Sequence, residues 1–195
     1  VNKKHDHNKV LQAGLRLICT KGYNSLGVEE ICKSTGITKG TFYNTFKSKE
    51  IFLLKGLSLY GEITVKRLST QLSKENNQPL AIDRLRYLYD SMFDAQPKNN
   101  FMGCMVNNIM SELGSNNPTV GRAASIEFNS FIEAIEPCVK EAQIEGDLTS
   151  SVDSKTLAQL LHSTFYGALT RSKSLQDHKE AKLMMHTLLN TLKNK

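Results

Sequence analysis

Apolar residues along this chain recur at steps of three and four, and no long stretch alternates with the period of two that a half-buried strand needs. The pattern predicts helices over residues 6–21, 28–34, 38–44, 48–72, 79–96, 103–113, 118–145, 153–173 and 178–192. The punctuation agrees with it. Gly22, Gly36 and Gly146 stand where helices should stop, because glycine adopts the left-handed conformation at little cost. Gln78-Pro79 and Asn117-Pro118 each offer proline as a first helical residue, and the Asn117 side chain can cap the orphan amides behind it. The polar stretch from Ser73 to Gln78 separates the fourth helix from the fifth. The expected fold class is all-α, with about nine helices: a three-helix head over residues 1–50 and a larger helical body over residues 51–195.

The head has a readable internal logic. Val10, Leu11, Leu15, Ile18 and Cys19 lie on one stripe of the first helix and give it a face to bury. After Gly22-Tyr23 come a short helix from Val28, a tight turn at Gly36-Ile37, and a second short helix beginning at Thr38. Two short helices joined in this way form a helix-turn-helix, whose second helix is shaped to enter the major groove of DNA. Phe42 and Phe46, four apart, can pack back into the head, leaving Thr38, Lys39, Gly40, Thr41, Tyr43 and Asn44 to face outward. Thr38 can cap the helix, and Gly40 lets backbone approach a sugar-phosphate chain closely. Lys39 and Thr41 suit base edges, the Tyr43 hydroxyl suits a phosphate, and Lys49 stands where its ammonium and a helix N-terminus could both meet phosphate. The same spacing also describes a plain helical hairpin with polar positions in solvent.

Charge sharpens the picture. The net charge is +6, and residues 1–50 carry nine basic and four acidic side chains, whereas the remaining 145 carry sixteen and fifteen. A polyanionic partner is therefore expected at the front of the chain only, which disfavours a non-specific architectural DNA binder with positive charge spread over its whole surface. At 39% hydrophobic and 23% charged residues the composition is that of an ordinary globular protein. No apolar run approaches the roughly 18 residues of a membrane span and no secretion-type apolar segment follows the first residues, so a cytoplasmic location away from membranes is expected.

Residues 10–56 resemble the DNA-binding signature of the TetR (tetracycline-repressor) family of bacterial regulators. The likeness rests on the Gly22-Tyr23 pair, Ile31, the run Gly36-Ile37-Thr38-Lys39-Gly40-Thr41-Phe42-Tyr43, then Phe46 and Ser48-Lys49-Glu50. There are three departures: Leu26-Gly27 replaces the usual pair of hydroxyl residues, Cys32 replaces the usual alanine, and Thr45 stands just before Phe46. Without a hydroxyl at Gly27, any phosphate contact there must come from the backbone. The resemblance implies a homodimer that binds a palindromic operator in double-stranded DNA as a repressor. Release would follow when the body takes a small-molecule or electrophile effector. Six to eight phosphate contacts per dimer would lower affinity about a thousandfold between roughly 50 and 200 mM salt.

In the body, Tyr60, Tyr87, Phe93, Phe101, Met105, Phe128 and Phe165 are pocket candidates, with Tyr89, Met102, Met110 and Phe131 in the same stripes. Aromatic and methionine stripes of this kind also describe plain core. Cys104 is the sharper case. A thiol at the start of a helix feels the positive end of its dipole, which favours the thiolate. The Gly103-Cys104 start and the Ser111-Glu112-Leu113 that follow resemble the NemR-like, electrophile-sensing branch of the family. That resemblance implies that Cys104 is the sensing thiol, and the similar stretch from Gly167-Ala168 to Lys173 implies that Lys173 is its basic partner. In the alternative, Cys104 is a small buried hydrophobe and the effector binds noncovalently.

Leu157, Leu160, Leu161, Thr164, Phe165 and Ala168 on the eighth helix form one stripe. Leu183, Met184, His186, Thr187, Leu188 and Leu192 on the ninth form another. The family pattern makes these the homodimer surface, as a four-helix bundle. Cys19, Cys32 and Cys138 read as core. With no C-x-x-C pair and no histidine at zinc spacing, no metal and no cofactor are expected. No nucleophile–base or paired-carboxylate constellation converges, so catalysis is not expected either.

Overall fold

The computed structural model describes residues 6–75 and 78–194. Lys3 and Lys4 of the basic front segment, and residues 76 and 77 of the polar stretch, lie outside them. The described residues form α1 (His7–Lys21), α2 (Val28–Thr35), α3 (Lys39–Phe46), α4 (Lys49–Leu72), α5 (Ala81–Asp94), α6 (Met105–Leu113), α7 (Pro118–Ile144), α8 (Ser154–Leu175) and α9 (Lys179–Thr191). A single 3-10 turn at Pro97–Asn99 is the only other regular element among them, so the all-helical expectation holds. Two compact units divide the chain: residues 1–63 with 104–128, and residues 64–103 with 129–195.

In the first unit, α1, α2 and α3 close around the ring of Phe52 from α4. Phe42, Phe46 and Phe52 are all buried, with ring centroids 5.3 Å apart for Phe42–Phe46 and for Phe42–Phe52, and 4.9 Å for Phe46–Phe52. Such contacts each add about 0.5–1.5 kcal/mol beyond simple burial. Two glycines allow α4 to lie this close to α1. A Cβ on Gly14 would fall 2.4 Å from Phe52 Cζ, and one on Gly56 would fall 2.5 Å from Leu15 Cδ2. Asp6 caps α1 and Thr38 caps α3, each side chain accepting from backbone amides of the first turn. Gly36 ends α2 in the left-handed conformation at φ 71° and turns the chain into buried Ile37.

In the second unit the expected proline start of the fifth helix is corrected. Pro79 stays outside, and α5 begins at Ala81 after Leu80, a residue with no side-chain acceptor. One long-range contact takes over the capping, and a local one holds the segment before the helix. The Glu145 carboxylate accepts from the Ala81 amide at 2.9 Å, and the buried Arg84 guanidinium donates to the Gln78 and Pro79 carbonyls at 3.0 Å each. Arg84 is held in turn by Glu141 at 2.7 Å, so its buried charge is compensated.

The stripe assigned to a dimer surface on the eighth helix is also corrected. Leu157, Leu161, Phe165 and Ala168 are buried inside the subunit, where α8 packs against α9 and an aromatic cluster. The apolar side chains left exposed on these two helices are Leu160, Leu175, Leu183 and Met184.

Candidate nucleic-acid interface

The outward face of α3 forms where the aromatic anchor ends. Phe42 and Phe46 point into the first unit, while Thr38, Lys39, Gly40, Tyr43 and Asn44 are exposed and Thr41 is half-buried beside them. Thr38 Oγ1 accepts from the Thr41 amide at 3.1 Å and lies 3.0 Å from Thr41 Oγ1, so both hydroxyls are oriented by the cap itself. A Cβ added to Gly40 would meet nothing closer than Thr38 Oγ1 at 3.8 Å, which leaves the backbone open to another molecule. Gly27 is the N-cap of α2 and makes no side-chain cap bond; a Cβ added there would meet nothing within 4 Å. No side chain caps the first turn of α2, which carries Glu29 and Glu30.

Lys39 is tied by an exposed ion pair to Glu29 at 2.8 Å, and their mutual hydrogen bond shifts Glu29 down and Lys39 up from their ordinary values. Both side chains are solvated, so the pair can exchange for a DNA contact at small cost. Lys49 is placed differently from the expectation of a free phosphate ligand. Its ammonium donates to the Tyr23 carbonyl at 2.6 Å and sits 4.0 Å from the centre of the Tyr23 ring, and burial pulls it below its usual value.

Lys47 is a residue that helical spacing did not single out. It is exposed between α3 and α4, with φ 63° and ψ −44°, a conformation that costs a non-glycine residue about 1–3 kcal/mol. Lys47 thus presents its charge next to the exposed face of α3. Positive φ at a lysine leaves no trace in a hydrophobic pattern.

The sensing and pocket candidates fall in both units. In the first, Cys104 is buried at the N-cap of α6, one residue before the first turn, and makes no cap bond with its own side chain. The Tyr60 hydroxyl donates to Cys104 Sγ at 3.6 Å, and next along the chain the buried Met105 Sδ accepts from Cys19 Sγ at 3.2 Å. Phe128 is half-buried in the same unit. Cys19 is half-buried rather than core, whereas Cys32 and Cys138 are buried as expected.

In the second unit Phe93 and Phe165 pack at 5.1 Å, Phe101 is half-buried, and Lys173 is half-buried in the last turn of α8. Tyr87 departs from the pocket expectation. It is 48% exposed, on the face of α5 opposite buried Leu85 and Tyr89. His162, to which the residue pattern gave no role, is fully enclosed by Tyr89, Phe131, Phe165 and Tyr166 at 4.8–6.4 Å. Burial pushes it down to about 3, so the ring is neutral at physiological pH. The three- and four-residue steps to Phe165 and Tyr166 were the available signal.

A helix-turn-helix with a polar, glycine-bearing face held out by three phenylalanines defines a DNA-binding protein of the bacterial regulator type. Comparison with known proteins narrows the class. Residues 10–55 match the sequence profile "Bacterial regulatory proteins, tetR family", and residues 81–188 match "Tetracyclin repressor-like, C-terminal domain". The transcriptional regulator AcuR of Cereibacter sphaeroides is 31% identical over 169 residues, 86% of this chain and 76% of that one. A regulatory protein TetR from Rhodobacter sphaeroides superposes with a TM-score of 0.85 at 26% identity over 96% and 98% of the two chains. Escherichia coli NemR in its reduced form gives a TM-score of 0.83 at 22% identity over 97% of each, a likeness of fold. The chain belongs to the TetR family, whose members are transcriptional regulators and not enzymes.

Proposed function

We propose that this protein is a repressor that binds a palindromic operator as a homodimer, with residues 1–50 reading DNA and residues 51–195 sensing and dimerising. The observation that carries the reading is the exposed face of α3. Thr38, Lys39, Gly40, Thr41, Tyr43 and Asn44 stand clear of a packed aromatic core, with the uncapped first turn of α2 beyond Gly27 beside them. Two such helices about 34–36 Å apart would enter successive major grooves. Exposed Leu160, Leu175, Leu183 and Met184 on α8 and α9 supply apolar surface for the pairing. The work takes place in the cytoplasm, where the operator is.

Effector response centres on Cys104. Its thiol is the cap residue of α6 and receives the Tyr60 hydroxyl, a donor that would equally hold a thiolate. A second reading keeps Cys104 structural, a small buried group in the first unit, and has the body take a hydrophobic effector without covalent chemistry.

Selection of bound duplexes from a random library, followed by gel shift, tests the operator reading: a palindrome preferred over random duplex is expected, and equal affinity for both would remove it. Cys104→Ser is expected to keep operator binding while losing release by a quinone or an aldehyde. Release of the serine protein at the wild-type dose, together with release of both proteins by an inert hydrophobic compound, would instead establish the noncovalent reading.

A further inference from the structure

The Tyr23 peptide, in the turn between α1 and α2, is gripped from two sides. The Glu112 carboxylate on α6 takes both amides of the turn, Tyr23 N–H at 2.9 Å and Asn24 N–H at 2.8 Å. Lys49 at the start of α4 takes the Tyr23 carbonyl at 2.6 Å and lays its ammonium on the ring. The next residue, Glu50, accepts from Asn117 Nδ2 at 2.7 Å, and Asn117 Oδ1 accepts in turn from the Val120 amide that opens α7. All of these groups lie in the first unit. Gly22, at φ 83°, brings the turn in; a Cβ there would already touch both Glu112 oxygens at 3.4 Å. The carboxylate is not placed for the benefit of its own helix. Glu112 stands in the last turn of α6, where a negative charge opposes the helix dipole. What it gains is two charge-assisted bonds to a turn 88 and 89 residues earlier in the chain.

We infer that Glu112 and Lys49 are positioning residues for DNA binding: they fix the 22–24 turn, and with it the start of α2 and the aim of α3, and Lys49 does not act as a phosphate ligand. The inference rests on the reading that α3 enters DNA. It runs against the role that a lysine opening a helix beside a DNA-reading face would ordinarily take.

Two full-length variants, Glu112→Gln and Lys49→Met, test it, with Lys49→Arg as the conservative control. Binding to a 30-base-pair duplex of random sequence is measured from about 50 to 200 mM salt, alongside hydrogen exchange of the Tyr23 and Asn24 amides. A counterion-releasing lysine contributes about 0.9 to the slope of log K against log salt, hence about 1.8 for the two of a dimer. We expect Lys49→Met to weaken binding by a similar factor at every salt concentration with the slope unchanged, and Lys49→Arg to restore wild-type affinity. Glu112→Gln leaves one acceptor for two amides, so their exchange should quicken by about tenfold or more, with weaker DNA binding at an unchanged slope. A slope reduced by about 1.8 in Lys49→Met overturns the inference. So does a Glu112→Gln protein whose turn amides exchange faster while its DNA affinity stays at the wild-type value. Wild-type protein that shows no salt-dependent binding would sink the DNA reading itself, a separate result.

Discussion

Two glycine-to-alanine substitutions in the head should move its stability in opposite directions. At Gly14 the added Cβ would lie 2.4 Å from Phe52 Cζ, 2.8 Å from Cε1 and 3.3 Å from Ile31 Cγ2. Packed carbons sit about 3.5–4.0 Å apart, so the ring would have to retreat by about 1 Å or more. It has nowhere to go, since Phe52 is fully buried between Phe42 and Phe46. Overpacking of this kind costs about 1–3 kcal/mol. At Gly40 the same methyl meets only Thr38 Oγ1, at an ordinary 3.8 Å. Both positions gain up to about 1 kcal/mol of helix propensity. The difference between the variants therefore isolates the clash: Gly40→Ala should exceed Gly14→Ala in stability by about 1–3 kcal/mol.

Urea unfolding together with hydrogen exchange of the α1–α3 amides reads that difference where it arises. Function should separate the other way. Gly40→Ala puts a methyl where a sugar-phosphate chain would approach and should bind DNA more weakly despite its firmer head. Gly14→Ala should bind normally in proportion to its folded fraction. Equal protection of the head amides in the two variants would refute the packing account.

Two further outcomes follow from the geometry. His162 stays neutral in the folded core down to about pH 3, whereas the unfolded chain protonates it near 6.5. Its contribution to stability is complete above about 6.5 and falls by up to about 1.4 kcal/mol per pH unit as the pH drops from there towards 3. His162→Phe should flatten this part of a denaturation–pH profile, and an unaltered acid limb would show that other groups control it. Lys47→Gly should relieve positive-φ strain and stabilise the head by about 1 kcal/mol in thermal unfolding. It should also lower the salt slope of DNA binding by about 1.8 for a dimer if each Lys47 meets a phosphate; a slope equal to wild type would remove Lys47 from the interface.

The helices and most of their ends were legible in the order of residues because their causes are local. A three- and four-residue apolar rhythm, a glycine able to take positive φ at 36, a threonine cap at 38 and an asparagine cap at 117 act within one or two turns of chain. The outward set on α3 was legible for the same reason, since Phe42 and Phe46 declare which side is buried. Long-range partners left no such mark. Glu145 caps α5 at Ala81, past Pro79, from 64 residues away. Glu112 and Lys49 meet on a peptide far from both in sequence. The burial of Leu157, Leu161 and Phe165 within the subunit, leaving Leu160 at the surface, depends on which neighbour covers each face of α8. Periodicity reports that a face is apolar; the packing of the folded chain selects what covers it.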